Sequence, residues 1–229
     1  MGKVVSGGQS LEIVARVATQ VNWEELDGDK LQKEVISLSR EEFGTRFTAF
    51  LRNGGRIFVS HPRLISTRPF NPEEFLGNGR SIWKGSADGD GLSGKEDIDE
   101  RSSALSEIDP TQILFEICLK RGENLVLGEE KLRRLKKMPE RIRLGGSVFL
   151  GLWENYQADK ENSGLEWLYQ NQGITYLDFF GTILRAPFGS RCILCLYRDD
   201  GGGWRWSYDW LDDDWNTDGP SAVLASAQT

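Results

Sequence analysis

The clearest hydrophobic pattern lies in the last quarter of the chain, where apolar and polar residues alternate with the period of two that is typical of strands. The predicted strands are 174–184, 191–197, 204–211 and 221–225, and the predicted turns are 187–190 and 199–203. The first turn contains proline and glycine and the second contains aspartate and glycine, which favours tight connections. The pattern therefore predicts an antiparallel β meander in the C-terminal part of the chain.

Helical spacing replaces this alternation near the N-terminus. The apolar residues at helical spacing are Leu11, Val14, Val17 and Val21. Further on, Ser39 and Glu42 have the spacing of a capping box, which predicts the start of a second helix. A short strand is predicted at 56–59. We expect residues 1–60 to form a helical N-terminal region.

The middle of the chain changes in composition. Residues 61–110 are rich in Pro, Gly, Ser and Asp and predict an extended, acidic connection. Residues 111–229 predict an α+β domain, with a strand at 113–119, an amphipathic helix at 128–137 and a helix at 148–153 before the meander. The predicted fold class is α+β, with a helical N-terminal part and a C-terminal antiparallel β domain.

Net charge and hydropathy restrict the binding partners and the cellular location that we expect for this protein. The chain has 229 residues and a formal net charge of −7, which argues against binding nucleic acid through overall charge. Only the basic helix predicted at 128–137 keeps nucleic-acid binding open. No apolar run approaches the ~18–20 residues of a membrane span. Without an apolar N-terminal stretch for secretion, we expect a cytoplasmic protein by default, and surface display through a partner stays open.

The sequence offers little for catalysis. His61 is the only histidine, and it precedes Pro62, which favours an extended backbone there. One histidine excludes a His-cluster metal site and removes most acid–base catalysis. Neither a nucleophile–base pair nor a phosphate-binding glycine loop can be assigned. We predict no catalytic residues, no enzyme activity and no cofactor.

The three cysteines do not indicate a redox or metal site. Cys192 and Cys195 form a CxxC pair inside a predicted strand, where positions three apart face opposite sides. A redox CxxC usually opens a helix instead. We interpret these two residues, together with Cys118, as buried and unreactive thiols.

Two acidic segments have the ligand spacing of calcium loops. They are residues 86–97 and 214–219. Each lacks the closing glutamate, because Asp97 and Ala225 stand at those positions. We interpret both as solvated acidic turns, with calcium binding as the open alternative, and predict no metal site.

The strand at 204–211 has two different faces. Trp204, Trp206, Tyr208 and Trp210 share one face, and the polar residues between them share the other. The aromatic row could be an exposed platform that stacks on sugar rings or bases. Alternatively it faces the core, and the polar face presents residues to a ligand. The second interpretation is favoured, because an exposed row of tryptophans would form a large apolar patch.

A compositional gap accompanies this strand. No Lys, Glu, Gln or Met occurs between Gly173 and Ala227, and strand preference accounts for only part of that absence. The polar positions hold Asp, Gly, Ser, Arg, Tyr, Asn and Thr, all of which have codons ending in a pyrimidine. Mutation of adenines in asparagine codons would produce this set, with the tryptophans as a fixed scaffold.

At residues 203–225 the chain resembles the hypervariable C-terminus of variable proteins of diversity-generating retroelements, most closely those of candidate-phylum bacteria. Residues 180–197, 82–85 and 150–154 resemble invariant parts of such proteins. The resemblance implies that an error-prone reverse transcriptase diversifies the C-terminal segment. It also implies a C-type-lectin-like fold that holds variable side chains rigidly for ligand binding. The closing segment 220–225 departs from the Gly-Phe-Arg ending common in that fold.

The predicted function is non-catalytic ligand binding through a variable tail at 199–220. The scaffold residues are Trp204, Trp206, Trp210 and Trp215. The predicted ligand-binding residues are Arg205, Ser207, Tyr208, Asp209, Asp212, Asp213, Asn216, Thr217, Asp218 and Gly219. Because aspartate is the most frequent residue in this set, with four Asp against one Arg, we expect a basic or hydrogen-bond-rich protein or surface ligand. The alternative is a carbohydrate-binding module that uses the tryptophan face.

Overall fold

A computed structural model describes residues 62–77 and 79–226, together with eight positions between 36 and 48. The chain divides into two compact units, Met1–Arg56 and Ile57–Thr229. In the first unit, the described residues Arg40, Phe43 and Phe47 are helical, as predicted. The helix predicted around residues 11–21 and the strand predicted at 56–59 lie outside the described residues.

The second unit contains short helices and strands before a long meander. The helices are α1 (Pro72–Leu76), α2 (Glu100–Ser103), α3 (Gly128–Leu135), α4 (Gly146–Ala158) and α5 (Gly164–Gln172). The strands are β1 (Ile65–Ser66), β2 (Ser81–Ile82), β3 (Glu107–Ile108), β4 (Leu114–Glu116), β5 (Val126–Leu127), β6 (Arg141–Arg143), β7 (Tyr176–Arg185), β8 (Arg191–Arg198), β9 (Trp204–Trp210), β10 (Asp214–Trp215) and β11 (Ser221–Ala225). Helices and a largely antiparallel sheet make this an α+β unit. In the described ranges, no helix combines the length and the apolar composition that crossing a membrane requires.

Helix α5 was not predicted from the sequence. Its two ends are nevertheless set by local residues. The Ser163 side chain accepts a hydrogen bond from the backbone N–H of Glu166 at 3.1 Å, which is half of a capping box. Gly173 ends the helix in the left-handed conformation with φ of 70°, which glycine adopts without a steric penalty. The spacing of Ser163 and Glu166 was the available signal for this helix.

The main sheet has the strand order β4-β11-β7-β8-β9. Strands β7, β8 and β9 form the predicted antiparallel meander, with Tyr176 opposite Tyr197 and Cys192 opposite Trp210. The prediction of a wholly antiparallel meander was wrong for β11, which lies parallel to β7 with Ser221 opposite Asp178. Strand β11 is parallel to β7 because residues 211–220 form a crossover connection. This connection runs back across the sheet from the end of β9 to the start of β7.

Two hydrophobic clusters cover the two faces of the sheet. Helices α4 and α5 pack on the first face, where Phe149, Leu152 and Leu194 are buried. Helix α3 packs on the second face, where Phe180 and Trp215 are buried with apolar residues of the helix. We name these faces the helix-pair face and the α3 face. Burial of these side chains supplies the main favourable free energy of folding.

The segment at 61–110 differs from the extended connection that the sequence predicts. In its described part, β1 pairs with β3, and β2 pairs with β7 of the main sheet. Trp83 is only 2% exposed and belongs to the cluster under the α3 face. The segment is thus integrated in the unit Ile57–Thr229. Two-residue strands are too short to show a period, and distant pairing partners do not appear in a local pattern.

Candidate ligand-binding surface

The tryptophan row of β9 faces the helix pair. Trp204 is 2% exposed, and Trp206, Tyr208 and Trp210 are partly buried against the cluster on that face. The rings of Trp206 and Phe75 lie 5.0 Å apart. Because these rings pack on the protein itself, the row does not form an open stacking platform.

The polar residues of β9 lie on the α3 face and differ in environment. Arg205 is exposed and forms an ion pair with Asp199, with 2.7 Å between Nε and Oδ2. Ser207 and Asp209 are partly buried. The Tyr176 hydroxyl donates a hydrogen bond of 2.6 Å to Asp209. This bond ties the side chain of Asp209 to strand β7.

The loop after β9 displays most of the remaining predicted residues. Asp212, Asp213, Asn216, Thr217 and Asp218 are all exposed. The backbone N–H of Asp218 donates to the Asn216 side chain at 2.8 Å, which makes a tight local turn. The loop therefore presents its polar side chains outward while it crosses the sheet.

Two predicted ligand-binding residues, Tyr208 and Gly219, are not exposed. Gly219 is buried, because a lysine of α3 holds its carbonyl under the loop. Tyr208 belongs to the tryptophan face, where its hydroxyl accepts a hydrogen bond from Arg80 at 3.3 Å and its ring contacts the same guanidinium. The period of two places Tyr208 on the packed face, so Tyr208 is corrected to a scaffold position.

A shallow acidic pocket of about 260 Å³ lies where β9 meets this loop. Its lining residues are Tyr176, Asp209, Asp213, Asp214, Trp215, Asn216, Asp218 and Gly219. Four carboxylates lie among them, with no lysine or arginine. The pocket brings together five of the predicted residues and leaves out Arg205, Ser207, Tyr208, Asp212 and Thr217. Sequence analysis missed Tyr176, since nothing in the sequence shows that it reaches across the sheet to Asp209.

The N-terminus of α3 holds the start of the loop. The backbone N–H groups of Gly128 and Glu129 donate to the carbonyls of Asp213 and Leu211, each at 2.9 Å. Strand β10 pairs with β5, which immediately precedes this helix. The positive end of the helix dipole therefore lies beside three consecutive aspartates, where negative charge is stabilised.

A buried ion pair holds the end of the loop. Lys131 of α3 and Asp178 of β7 are both 0% exposed, with 3.1 Å between Nζ and Oδ2. Lys131 also donates to the carbonyl of Gly219 at 2.5 Å, and the indole N–H of Trp215 donates to Asp178 at 2.6 Å. The ammonium group lies 5.0 Å from the Phe180 ring centroid, within cation–π distance.

Burial dominates the electrostatics of this pair. Desolvation raises the pKa of Asp178 to about 7, and the charge of Lys131 opposes that rise. Desolvation likewise lowers the pKa of Lys131, although Asp178 counteracts it. A buried pair of this kind contributes little net stability, but either charge left alone would be costly. The pair therefore fixes the position of Trp215 and of the Gly219 carbonyl.

The cysteines lie outside this surface chemistry. Cys192 and Cys195 are buried in β8, and Cys118 is partly buried. Burial raises the pKa of Cys192 to about 12 and that of Cys118 to about 11, and it also raises the pKa of Cys195. Thiols of raised pKa are poor nucleophiles at neutral pH.

The basic residues of α3 are engaged in ion pairs. Lys131 is buried with Asp178, Arg134 pairs with Glu123 and Glu130, and Lys136 pairs with Asp97 at 2.7 Å. The helix therefore offers little free positive charge for phosphate groups. Across residues 62–77 and 79–226, no group of three or more His, Cys, Asp or Glu side chains is placed to hold a metal ion.

The arrangement at the end of β9 is suited to recognition. Its carboxylates accept hydrogen bonds and attract cations, and its loop is held by backbone atoms and by Trp215. Comparisons with protein-family models, with curated proteins and with solved structures found no match to this chain.

Proposed function

We propose that this protein binds ligands without catalysis, and that its recognition surface is diversified in sequence. The surface consists of the exposed polar residues of β9 and of the loop at 211–219. Its sequence resembles the variable segment of diversity-generating retroelement proteins, and the C-type-lectin-like fold remains part of the proposal.

One observation carries this proposal. The loop is held through the carbonyls of Leu211, Asp213 and Gly219 and through the side chain of Trp215. A main-chain carbonyl is present whatever side chain the residue carries. Substitutions at the exposed positions can therefore change the ligand without removing the contacts that position the loop.

The acidic side chains on this chain's surface favour a basic ligand. Its pocket contains four carboxylates, and exposed Asp212 lies beside it in sequence. Such a potential attracts cationic partners and increases their association rate. A protein or peptide rich in Lys and Arg fits this chemistry better than a neutral sugar.

A randomised library tests the proposal directly. The varied codons are those of Arg205, Ser207, Asp209, Asp212, Asp213, Asn216, Thr217 and Asp218. We expect most variants to stay folded, because six of the eight positions are exposed, and an exposed substitution costs about 0.5 kcal/mol or less. Protease resistance of the displayed variants measures folding, and selection against a small basic protein should yield binders.

A matched library that randomises Trp204, Trp206, Trp210 and Trp215 is the control. Loss of a buried tryptophan costs about 3–5 kcal/mol, so few of its members should survive proteolysis. Equal survival of the two libraries, or a surface library without binders, would contradict the proposal. Diversification itself requires a reverse-transcriptase gene near this gene and an adenine-differing copy of the segment, and absence of both would refute it.

A further inference from the structure

Strand β9 forms one edge of the main sheet, with β8 as its pairing partner. Cys192 lies opposite Trp210, and the N–H of Leu211 donates to the Arg191 carbonyl at 3.0 Å. In an antiparallel ladder, this register directs the backbone groups of Arg205, Ser207 and Asp209 toward β8. The N–H and C=O groups of the four aromatic residues between and beside them point away from the sheet.

The two ends of this outer edge are satisfied within the unit. The N–H of Trp204 donates to the Tyr156 hydroxyl at 3.0 Å, and the carbonyl of Trp210 accepts from the N–H of Asp213 at 3.0 Å. Between these ends, no backbone group in residues 62–77 and 79–226 pairs with the N–H and C=O of Trp206 and Tyr208. An open edge of this kind is a template for another strand.

We propose that the outer edge of β9 binds an extended, basic peptide segment of the ligand by strand addition. The inference rests on the proposed function and names the class of ligand. Backbone hydrogen bonds to Trp206 and Tyr208 supply an affinity that does not depend on the variable side chains.

The variable side chains then supply the selectivity. On the α3 face, the side chains of an added strand would lie beside Arg205, Ser207 and Asp209, at the distance of cross-strand pairs. These are residues that the sequence analysis assigned to the ligand. A changed residue on β9 would thus select a different peptide in the same backbone position.

Charge sets the composition of the peptide at one end. Asp209 lies near the end of β9, and the exposed Asp212 and Asp213 follow it three and four residues later. At the opposite end, Arg205 is already paired with Asp199. A peptide with Lys or Arg beside Trp210 matches this distribution.

The probes are seven-residue peptides, selected from a random displayed library against the wild-type chain and then synthesised. We expect Lys or Arg at one end of the selected sequences. Methylation of the amide nitrogens that bond to β9 should weaken binding about tenfold for each lost bond. Methylation of the intervening amides should leave Kd unchanged. Equal effects at all amides would overturn strand addition.

Tyr208→Pro tests the same edge from the protein side. Proline removes the outward N–H of Tyr208 and is tolerated on an edge strand, since the bonds to β8 belong to neighbouring residues. Tyr208→Ala is the matched control, because it removes the side chain but keeps the N–H. We expect the proline variant to lose binding about tenfold relative to the alanine variant. Equal binding would overturn the inference, and the methylated peptides decide the outcome if the proline variant fails to fold.

The remaining outcomes separate the two proposals. If no peptide is selected while the randomised library yields binders to a folded protein, the edge inference fails and the proposed function stands. If neither selection yields binders, both fail. A dimer of the wild-type chain that Tyr208→Pro abolishes would assign the edge to a second copy of the chain and overturn the peptide assignment.

Discussion

At the scale of single residues, Lys131 has the most unexpected role. The sequence places it on the basic face of an amphipathic helix, where lysines are normally solvated. In the structure it is fully buried, and it contacts Asp178, the Gly219 carbonyl and the rings of Phe180 and Trp215. Its partners lie 47 and 88 residues away in the chain. A local sequence pattern carries no information on pairing at such separations.

Replacement of Lys131 should be strongly destabilising. In Lys131→Met, Asp178 would remain as a buried carboxylate without a counter-charge, and the Gly219 carbonyl would lose its donor. We expect the free energy of unfolding to fall by about 3–5 kcal/mol at pH 8. The measurement is urea denaturation followed by tryptophan fluorescence.

The loss should be smaller at low pH. Without Lys131, the pKa of Asp178 in the folded variant rises further above its unfolded value of about 3.9. The folded variant then binds a proton that the unfolded chain lacks, so its stability decreases as pH rises above about 4. Lys95→Met is the control, because Lys95 and Glu100 form an exposed pair at 2.8 Å, worth at most about 1 kcal/mol. A similar, pH-independent loss in both variants would contradict the role of Lys131.

At the scale of elements, helix α3 and the loop after β9 form one packed unit. Gly128 opens the helix directly under Trp215, and a Cβ at that position would lie 2.2 Å from the indole ring and 2.9 Å from the backbone of Leu211. The absence of a side chain therefore permits the helix to approach the loop closely enough to donate its first N–H groups. Alanine is the better helix former, but only glycine lets the helix lie this close to the loop.

Gly128→Ala should weaken the loop despite its higher helix propensity. The added methyl group must displace Trp215 or the backbone of Leu211, and overpacking of this kind costs about 1–3 kcal/mol. We expect a lower urea midpoint and a changed tryptophan emission spectrum. Gly201→Ala is the matched control, since its Cβ would meet only the Asp199 side chain at 3.3 Å. An unchanged midpoint in Gly128→Ala would show that the loop adapts freely.

The longest strands were predicted well from the sequence. The strands predicted at 174–184, 191–197 and 204–211 correspond to β7, β8 and β9 within two residues at each end. The two-residue strands before residue 128 were missed, because so few residues contain no period. The face of each β9 residue was also predictable from alternation. The acidic pocket was not, since it depends on the crossover that carries residues 211–220 over the sheet.

At the scale of the whole molecule, the segment that we propose to be diversified is an internal crossover and not a free tail. It begins on edge strand β9 and leads into β11, which lies between β4 and β7 in the middle of the sheet. Ser221, Ala222 and Val223 of β11 are each at most 1% exposed. Residues that follow the crossover are therefore required to complete the core. A frameshift within this segment would therefore yield a protein that lacks β11.

Truncation of the chain tests this dependence. A chain ending at Pro220 would leave β7 and β4 without their shared partner and would expose the cluster under the α3 face, which includes Val223. We expect such a chain to lose cooperative urea unfolding and to aggregate in size-exclusion chromatography, because unpaired strand edges and exposed apolar surface both favour association. A chain ending at Ser226 keeps β11 and the hydrogen bond from the Ser226 N–H to the Glu140 carbonyl, so it should unfold like the full chain. If both truncated chains unfold cooperatively, β11 is dispensable, and the molecule would then tolerate frame loss in the crossover.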